Sequence, residues 1–266
     1  MPAKGATIVP RALTIAGSDS GGGAGVQADL KAFAAAGVYG TSAIVALTAQ
    51  NTTGVLAVHE LPPAFVVAQL EAVFSDIGVD AAKTGMLFSR RTIESVAAYL
   101  RAHRVPLVVD PVMVASSGAK LLEDDAVEAL VTQLFPLATV VTPNLAEAQA
   151  LTSNSLLQAK DLLAEALVAL GAPAAIVTGG HGDAVDHLFD GSEHVEIAVD
   201  RCDVAATHGA GCTHSATLAA LLARGETLEK AARAAARAAS AAVRRGLTEI
   251  GAGDGPVDIL DLKGAR

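Results

Sequence analysis

The sequence predicts an α/β protein, with a mostly parallel sheet covered by helices on both faces. Strand-like and helix-like segments alternate along nearly the whole chain of 266 residues, the rhythm of repeated βαβ units. The run 41–49 is rich in apolar and β-branched residues, the pattern of a buried strand. No linker, repeat or shift in composition divides the chain, and 52% hydrophobic residues suffice for a large core. The expected organisation is therefore an N-terminal extension over 1–10 and a single domain over 11–262.

The elements follow from local pattern. A strand over 11–16 runs into a glycine-rich turn and a helix over 25–36. The strand over 41–49 is followed by 54–61, whose alternation of apolar and polar residues predicts a small edge strand. A helix over 64–76 has Phe65, Leu70, Val73 and Phe74 directed inward. Strands over 79–84, 107–110 and 139–142 alternate with helices over 92–103, 124–134 and 145–151. A helix over 156–170, strands over 174–178, 185–189 and 194–199, and helices over 212–224 and 228–244 complete the chain. In the last of these, Arg233 and Arg237 share one face of an alanine-rich stretch, which reads as a surface helix.

Composition excludes several classes. A net charge of −9 argues against a nucleic-acid surface, and 3% aromatics without Trp leave no platform for stacking bases. Two cysteines, Cys202 and Cys212, fit neither a disulfide scaffold nor a zinc site. The opening Met1-Pro2-Ala3-Lys4-Gly5 lacks the apolar run of a signal peptide. No apolar run of about 18 residues is free of charge and glycine, so a membrane span is not expected either. A cytoplasmic location is the expectation.

Three groups of residues carry candidate chemistry. The first is His208-Gly209-Ala210-Gly211-Cys212-Thr213, running into a small-residue helix. Amides at a helix start lack intrahelical partners and carry partial positive charge, so they suit a phosphate. The same position lowers a thiol pKa, which favours a Cys212 thiolate. A glycine-rich loop around a buried cysteine is the equal alternative on these residues alone. Cys202 lacks this setting and reads as buried packing.

The second group is the turn from Gly17 to Asp29. Its Gly23-Ala24-Gly25-Val26-Gln27-Ala28 matches a dinucleotide-binding pattern, but the following strand ends without the acid that would hold a ribose. A Walker loop fails as well, because Lys83-Thr84 lacks both preceding glycines. A tight strand–helix turn that requires small residues is the competing reading. The third group lies at strand ends. Asp110 closes one strand, and Asn144 and Glu147 stand three apart at a helix start. These three supply the kind of oxygen-rich environment magnesium prefers, while Asn144 with Glu147 also resembles a capping box.

Taken in order, the motifs resemble the hydroxymethylpyrimidine/phosphomethylpyrimidine kinases of thiamin biosynthesis, within the ribokinase-like superfamily. They are Leu13-Thr14-Ile15-Ala16-Gly17-Ser18-Asp19-Ser20, Gly25-Val26-Gln27-Ala28-Asp29-Leu30-Lys31, Ala49-Gln50-Asn51-Thr52, Lys83-Thr84-Gly85-Met86-Leu87, Asp110-Pro111-Val112-Met113, Thr142-Pro143-Asn144, and Thr207 to Thr213. The resemblance implies a three-layer α/β/α ribokinase-like fold. It also implies ATP- and Mg2+-dependent phosphorylation of a pyrimidine hydroxymethyl group, then of the monophosphate.

The resemblance places the pyrimidine against Gly17, Asp29, Gln50, Met86 and Val112, and the transferring phosphoryl group against Gly209, Ala210, Gly211 and Cys212. It assigns Asn144, Thr178, Gly180 and Ala210 to the nucleotide, and Asp110 and Glu147 to the metal. The expected partners are a small-molecule pyrimidine and a second copy of the chain in a homodimer. Cys212 stands where distant ribokinase-like enzymes carry an aspartate base, which leaves open whether it takes a proton or shapes the anion hole. Three positions depart from the family pattern. Ser116 and Thr178 replace lysines and Asp258 replaces a frequent histidine, with Lys120 a candidate substitute cation. A pyridoxal kinase of the same subgroup is the nearest alternative. Others are a nicotinamide oxidoreductase and a non-catalytic nucleotide-binding protein. Gln50 discriminates towards an aminopyrimidine, because its carboxamide both donates and accepts.

Overall fold

Nine strands form one sheet among the residues described by the computed structural model, which are 9–114, 118, 121–123, 125–179, 184–200, 202 and 204–264. Ser116, Lys120, Gly180 and His181 lie outside the described residues. The strands are β1 (Arg11–Asp19), β2 (Tyr39–Asn51), β3 (Gly54–Glu60), β4 (Ala81–Thr84), β5 (Leu107–Val109), β6 (Val140–Val141), β7 (Ala175–Val177), β8 (Val185–Phe189) and β9 (His194–Ala198). Their spatial order is β3-β2-β1-β4-β5-β6-β7-β8-β9. Pairing is parallel from β2 across to β7. It is antiparallel at the β3 edge and through β8 and β9 at the other edge. The edge strand read from the alternation at 54–61 is β3.

Helices cover both faces, as the βαβ rhythm requires. They are α1 (Gly25–Ala35), α2 (Pro63–Ala72), α3 (Arg90–Ala102), α4 (Ala126–Ala129), α5 (Leu145–Thr152), α6 (Lys160–Ala169), α7 (Ala210–Ala223) and α8 (Leu228–Arg244). Strand alternation divides the core into two layers. Leu13, Ile15, Val109, Val141 and Val177 point to the layer holding Leu70, Ile93, Leu134 and Leu163. Ala12, Val108, Val140 and Ile176 point to the layer holding Phe33 and the alanines of α7 and α8. The architecture is the three-layer α/β/α arrangement expected from the sequence.

Helix α7 is buried through its middle, where the residues from Thr213 to Ala220 are all inside. Such a helix must be small-sided, because it is covered by α1 and α8 as well as by the sheet. Alanines on α8 meet it, and Ala231, Ala232, Ala235, Ala236 and Ala242 form the buried stripe of that helix. Its arginines face outward, as read from the sequence.

Several boundaries differ from expectation for local reasons. Phe65 is 57% exposed rather than inward. The Pro62-Pro63 start sets the helix phase so that Val66, Leu70 and Val73 form the buried i, i+4, i+7 stripe. The helix expected over 124–134 is one α-turn, Ala126–Ala129, followed by a π-turn over Leu130–Leu134 and a 3-10 turn over Phe135–Leu137. The helix expected from 156 begins at Lys160, leaving Leu156 exposed in the connecting turn. Cys202, expected in the interior, is half-buried, with its thiol near the Asp200 and Ser240 carbonyls.

Candidate active site

The carboxyl ends of the parallel strands converge on the start of α7, where open α/β sheets bind their ligands. The register of β1 against β2 shifts between Ala16 and Ser18, a bulge centred on Gly17. This opens β1 from its neighbour just where the chain turns into α1. The Gly17 N–H bonds the Met86 carbonyl at 3.2 Å beyond the end of β4. A Cβ on Gly17 would collide with the Met86 thioether, so Met86 reaches close to the backbone only because residue 17 lacks a side chain.

Two glycine loops then interlock. Gly209 has φ +85°, and a Cβ there would strike the Gly23 carbonyl. Gly25 has φ +57°, and a Cβ there would strike the Gly17 carbonyl. Backbone therefore packs on backbone at both points. The amides of the first loop are already used. The Asp19 carboxylate accepts from Gly21 N–H at 2.8 Å, Gly23 N–H at 3.0 Å and Ala24 N–H at 2.9 Å. His208 Nε2 meets the same carboxylate at 2.9 Å, tying the loop to the residue before Gly209. Burial opposes ionisation of Asp19, but His208 and the loop amides hold its pKa below the ordinary carboxylate value. The dinucleotide match of Gly23 to Ala28, already without a ribose acid, finds no support here: a protein carboxylate takes the loop amides, and the turn is the tight strand–helix junction of the competing reading.

The second loop opens a real helix start. Gly209 is the N-cap of α7 in the left-handed conformation. The Ala210 N–H bonds Thr207 O, whereas Gly211 and Cys212 follow as first-turn residues with no helical residue four positions back. A Cβ on Gly211 would meet open space. The Cys212 thiol, however, does not follow the helix-start expectation. Burial, with the Asp29 and Asp110 carboxylates, pushes its pKa up to about 12 against the opposing pull of Lys83 and the Gly25 N–H. The resting group is a thiol, because desolvation outweighs the helix dipole.

Beneath Cys212 lies a buried ion cluster. Lys83, on β4, is 0% exposed, and its Nζ sits 3.0 Å from each Asp29 oxygen and 3.5 Å from Asp110 Oδ2. Thr14 Oγ1 donates to Asp29 Oδ2 at 2.6 Å. Ser215, on α7, donates to Asp110 Oδ2 at 2.7 Å. Burial alone would strip the Lys83 proton, but Asp29, Cys212 and Asp110 reverse that and hold its pKa above the ordinary lysine value. The proton stays on Lys83, because two carboxylates face one ammonium. Asp29 is therefore no surface helix acid. Its oxygens face Lys83 and Thr14 inside the protein rather than an open pocket.

The cluster continues to the residues that follow β5, β6 and β7. Asp110 follows β5, and Val112 N–H returns to the Asp110 carbonyl at 2.9 Å. Glu147 is pushed up to about 8 by burial and by the Asp110 charge. Asn144 and Glu147 form a complete capping box at the start of α5, with Glu147 N–H to Asn144 Oδ1 at 2.9 Å and Asn144 N–H to Glu147 Oε2 at 3.0 Å. The cap and the proximity to Asp110 coexist. Thr178 adjoins Asn144 where β7 ends, with its N–H on the Pro143 carbonyl at 3.0 Å. No group of three or more His, Cys, Asp or Glu side chains is arranged to hold a metal among the described residues.

Residues from six stretches of sequence thus form one chain of contacts, from Gly17 and Met86 through Gly25, Cys212 and Lys83 to Asp110, Glu147, Asn144 and Thr178. Gln50 stands apart from it. Its backbone is held by Ser20, Thr48 Oγ1 donates to its Oε1 at 3.1 Å, and it lines a hollow shared with Asn51, Thr52, His208 and Asp254.

The phosphomethylpyrimidine kinase family profile matches residues 19–258, which span this site apart from Thr14 and Gly17. The chain belongs to the phosphomethylpyrimidine kinase family. It is 51% identical over 253 residues to a hydroxymethylpyrimidine/phosphomethylpyrimidine kinase of Rhizobium meliloti, covering 92% of this chain and 95% of that one. It is 50% identical to the thiamine biosynthesis bifunctional protein ThiED of Geobacter sulfurreducens, of which it spans 51%. Among solved structures it is similar to the ADP complex of Bacillus subtilis pyridoxal kinase, with a TM-score of 0.88, 38% identity, and 96% of this chain and 99% of that one covered. The ribokinase-like fold expected from the motifs is thereby shown. No helix among the described residues is long and apolar enough to cross a membrane.

Several residues of this family member's site were not singled out from the sequence. Lys83 carried a signal, a lysine between alanines and a threonine in a short buried strand, where an unpaired charge is not tolerated. Asp19 and His208 stood in quoted motifs and Ser215 did not, but the pairing of each was hidden, since their partners lie 189 and 105 residues away in the chain.

Proposed function

We propose that this chain transfers the γ-phosphoryl group of ATP to the hydroxymethyl group of an aminopyrimidine, and then phosphorylates the monophosphate to the diphosphate, for thiamin synthesis. The observation that carries the reading is the family match together with the cluster of Cys212, Lys83 and Asp110 beneath the first turn of α7. In this reading a single kinase domain spans 11–262, supported by the one continuous sheet. A homodimer goes with it, supported by Tyr39, Leu47 and Leu56, exposed on the β2–β3 edge for a second copy to cover.

Phosphoryl transfer asks a protein mainly for positioning and for charge neutralisation. Gly17, Met86 and Val112 form a surface on which the pyrimidine ring lies, and Gln50 offers its carboxamide to the amino group and ring nitrogen. Asp29 acts through Lys83, holding the ammonium under the reacting hydroxyl. The amides of Gly211 and Cys212, with Gly209 and Ala210 shaping the turn, receive the transferring group. Cys212 contributes to this anion hole rather than as a resting thiolate. Asn144 and Thr178, with Gly180, hold the nucleotide side.

Asp110 and Glu147 are suited to Mg2+, which keeps waters and phosphate oxygens and needs few protein ligands. Their mutual repulsion, seen in the raised Glu147 pKa, is relieved by a cation between them. Bound there, the metal neutralises phosphate charge. Replacing Glu147 with Gln is expected to keep the capping box and to raise the Mg2+ concentration needed for half-maximal activity several-fold. The pH dependence has a definite sign. Folded Glu147 keeps its proton to about 8, above the ordinary glutamate value of 4.5. Stability from that proton is full below the lower value and is lost as pH rises through the higher one. The Mg2+ requirement of the native chain should therefore fall as pH rises through about 8. A magnesium titration identical in both proteins leaves Glu147 with capping alone.

The deciding experiment is a coupled ADP assay with hydroxymethylpyrimidine and with pyridoxal. Pyridoxal kinase activity is the second reading, favoured by the likeness to the Bacillus subtilis structure. Hydroxymethylpyrimidine is expected to have the higher kcat/KM. Pyridoxal would leave the Gln50 amide unpaired, at about 1–3 kcal/mol, or roughly 5- to 150-fold. Gln50→Met should narrow the ratio. A wild-type preference for pyridoxal, or a ratio untouched by the substitution, removes the pyrimidine assignment.

A further inference from the structure

A second buried charged group lies on the nucleotide side, outside the chain of contacts described above. Asp186, on β8, is 4% exposed, and its Oδ1 accepts the Gly179 N–H at 2.8 Å. Its Oδ2 lies 3.4 Å from Nε2 of His214, on α7 and 5% exposed. Lys160, the first residue of α6, is also buried and donates to the Val185 carbonyl. A Cβ on Gly179 would collide with both the Lys160 ammonium and the Val185 carbonyl, so the turn after β7 is seated directly on this group. Burial works against the Asp186 carboxylate, and His214, the Gly179 N–H and Lys160 together hold its pKa below the ordinary value.

The arrangement links two parts of the site through one helix. The first two turns of α7 send Cys212 toward Lys83, Ser215 to Asp110, and His214 to Asp186. Gly179 follows Thr178, which is bonded to the strand end that carries Asn144. A shift of Asp186 would move this turn relative to the start of α7. A buried charge with several partners resists such a shift, because any displacement strands an unpaired group.

We propose that Asp186 is a positioning residue for the nucleotide: braced by His214 and Lys160, it fixes the Thr178–Gly179 turn against the helix that receives the phosphoryl group. The proposal rests on the assignment of Asn144 and Thr178 to the nucleotide. It predicts a selective loss, with nucleotide binding weakened and the pyrimidine side untouched.

The test is calorimetric titration of the full chain with ADP and, separately, with hydroxymethylpyrimidine. Asp186→Ala is expected to weaken ADP binding about 10-fold or more, as for a lost buried charged hydrogen bond, with pyrimidine affinity within about twofold of wild type. Asp186→Asn keeps an acceptor for the Gly179 N–H and should recover part of the ADP affinity. Unchanged ADP affinity in a folded Asp186→Ala protein overturns the proposal, as does an equal loss for both ligands, which marks a general structural role. If Asp186→Ala does not fold, His214→Leu decides: weakened ADP binding at wild-type pyrimidine affinity supports the brace, and wild-type ADP binding overturns it. Wild-type protein that binds pyrimidine but not ADP overturns the nucleotide assignment and the brace together. Tight ADP binding in both wild type and variant overturns the brace alone.

Discussion

Cys212→Ala is expected to lower kcat about 100-fold while changing the KM for hydroxymethylpyrimidine by no more than about twofold, the size of effect seen when one element of an anion hole is removed. The reason lies in where the residue sits. Cys212 belongs to the first turn of α7, above Lys83 and beside Gly25, at the junction of the two interlocked glycine loops. Truncating its side chain alters the wall of the pocket where charge develops, and leaves Gly17, Met86 and Val112 in place. The thiol pKa, pushed up to about 12, means that the loss should not depend on titrating a resting thiolate near neutral pH. Cys212→Ser, which keeps a polar group at the position, should retain more activity than the alanine variant. Steady-state kinetics of the three proteins settle the matter, and equal turnover for wild type and Cys212→Ala would leave Cys212 as a packing residue.

The second large effect concerns stability. Lys83→Met should cost about 3–5 kcal/mol, because it leaves Asp29 and Asp110 facing each other in the interior without their cation. At about 2–4 °C per kcal/mol for domains near this size, the melting temperature should fall by roughly 10 °C. Adding Asp29→Asn to Lys83→Met should restore much of the loss, since the pair is then removed together and the couple is strongly non-additive. The sign of the pH dependence follows from the raised Lys83 pKa. The stabilisation is complete below the ordinary lysine value of 10.5 and is lost only as pH rises through the higher folded value. The gap between wild type and variant should therefore stay wide through neutral pH, narrow in strong alkali, and narrow again in acid, where burial and Asp110 raise the Asp29 pKa and the uncompensated carboxylates take up protons. Urea melts at several pH values measure it. A loss below about 1 kcal/mol would mean that water or backbone groups, rather than Lys83, compensate the two carboxylates.

The sequence by itself determined the layered α/β architecture and the order of the elements. These are local matters. Period-two and period-3.6 hydrophobicity mark which face each element buries, and glycines mark where backbone must approach backbone, as Gly17, Gly25 and Gly209 do. The same locality explains the misplaced Phe65 and the helix broken after Ala129, since helix phase and turn type depend on what packs against them. Only the tertiary structure decided the protonation and partners of the polar residues. The thiolate expected of Cys212 gives way to burial and two carboxylates. The amides of the Gly21–Ala24 turn, whose glycine pattern was not enough to assign a ligand, are taken by Asp19, held in turn by His208. Lys83, Asp29 and Asp110, or His214 and Asp186, meet across tens of residues, and electrostatic energy depends on those distances and on the exclusion of water. Neither quantity is written in any stretch of sequence, because both exist only once the chain has closed around them.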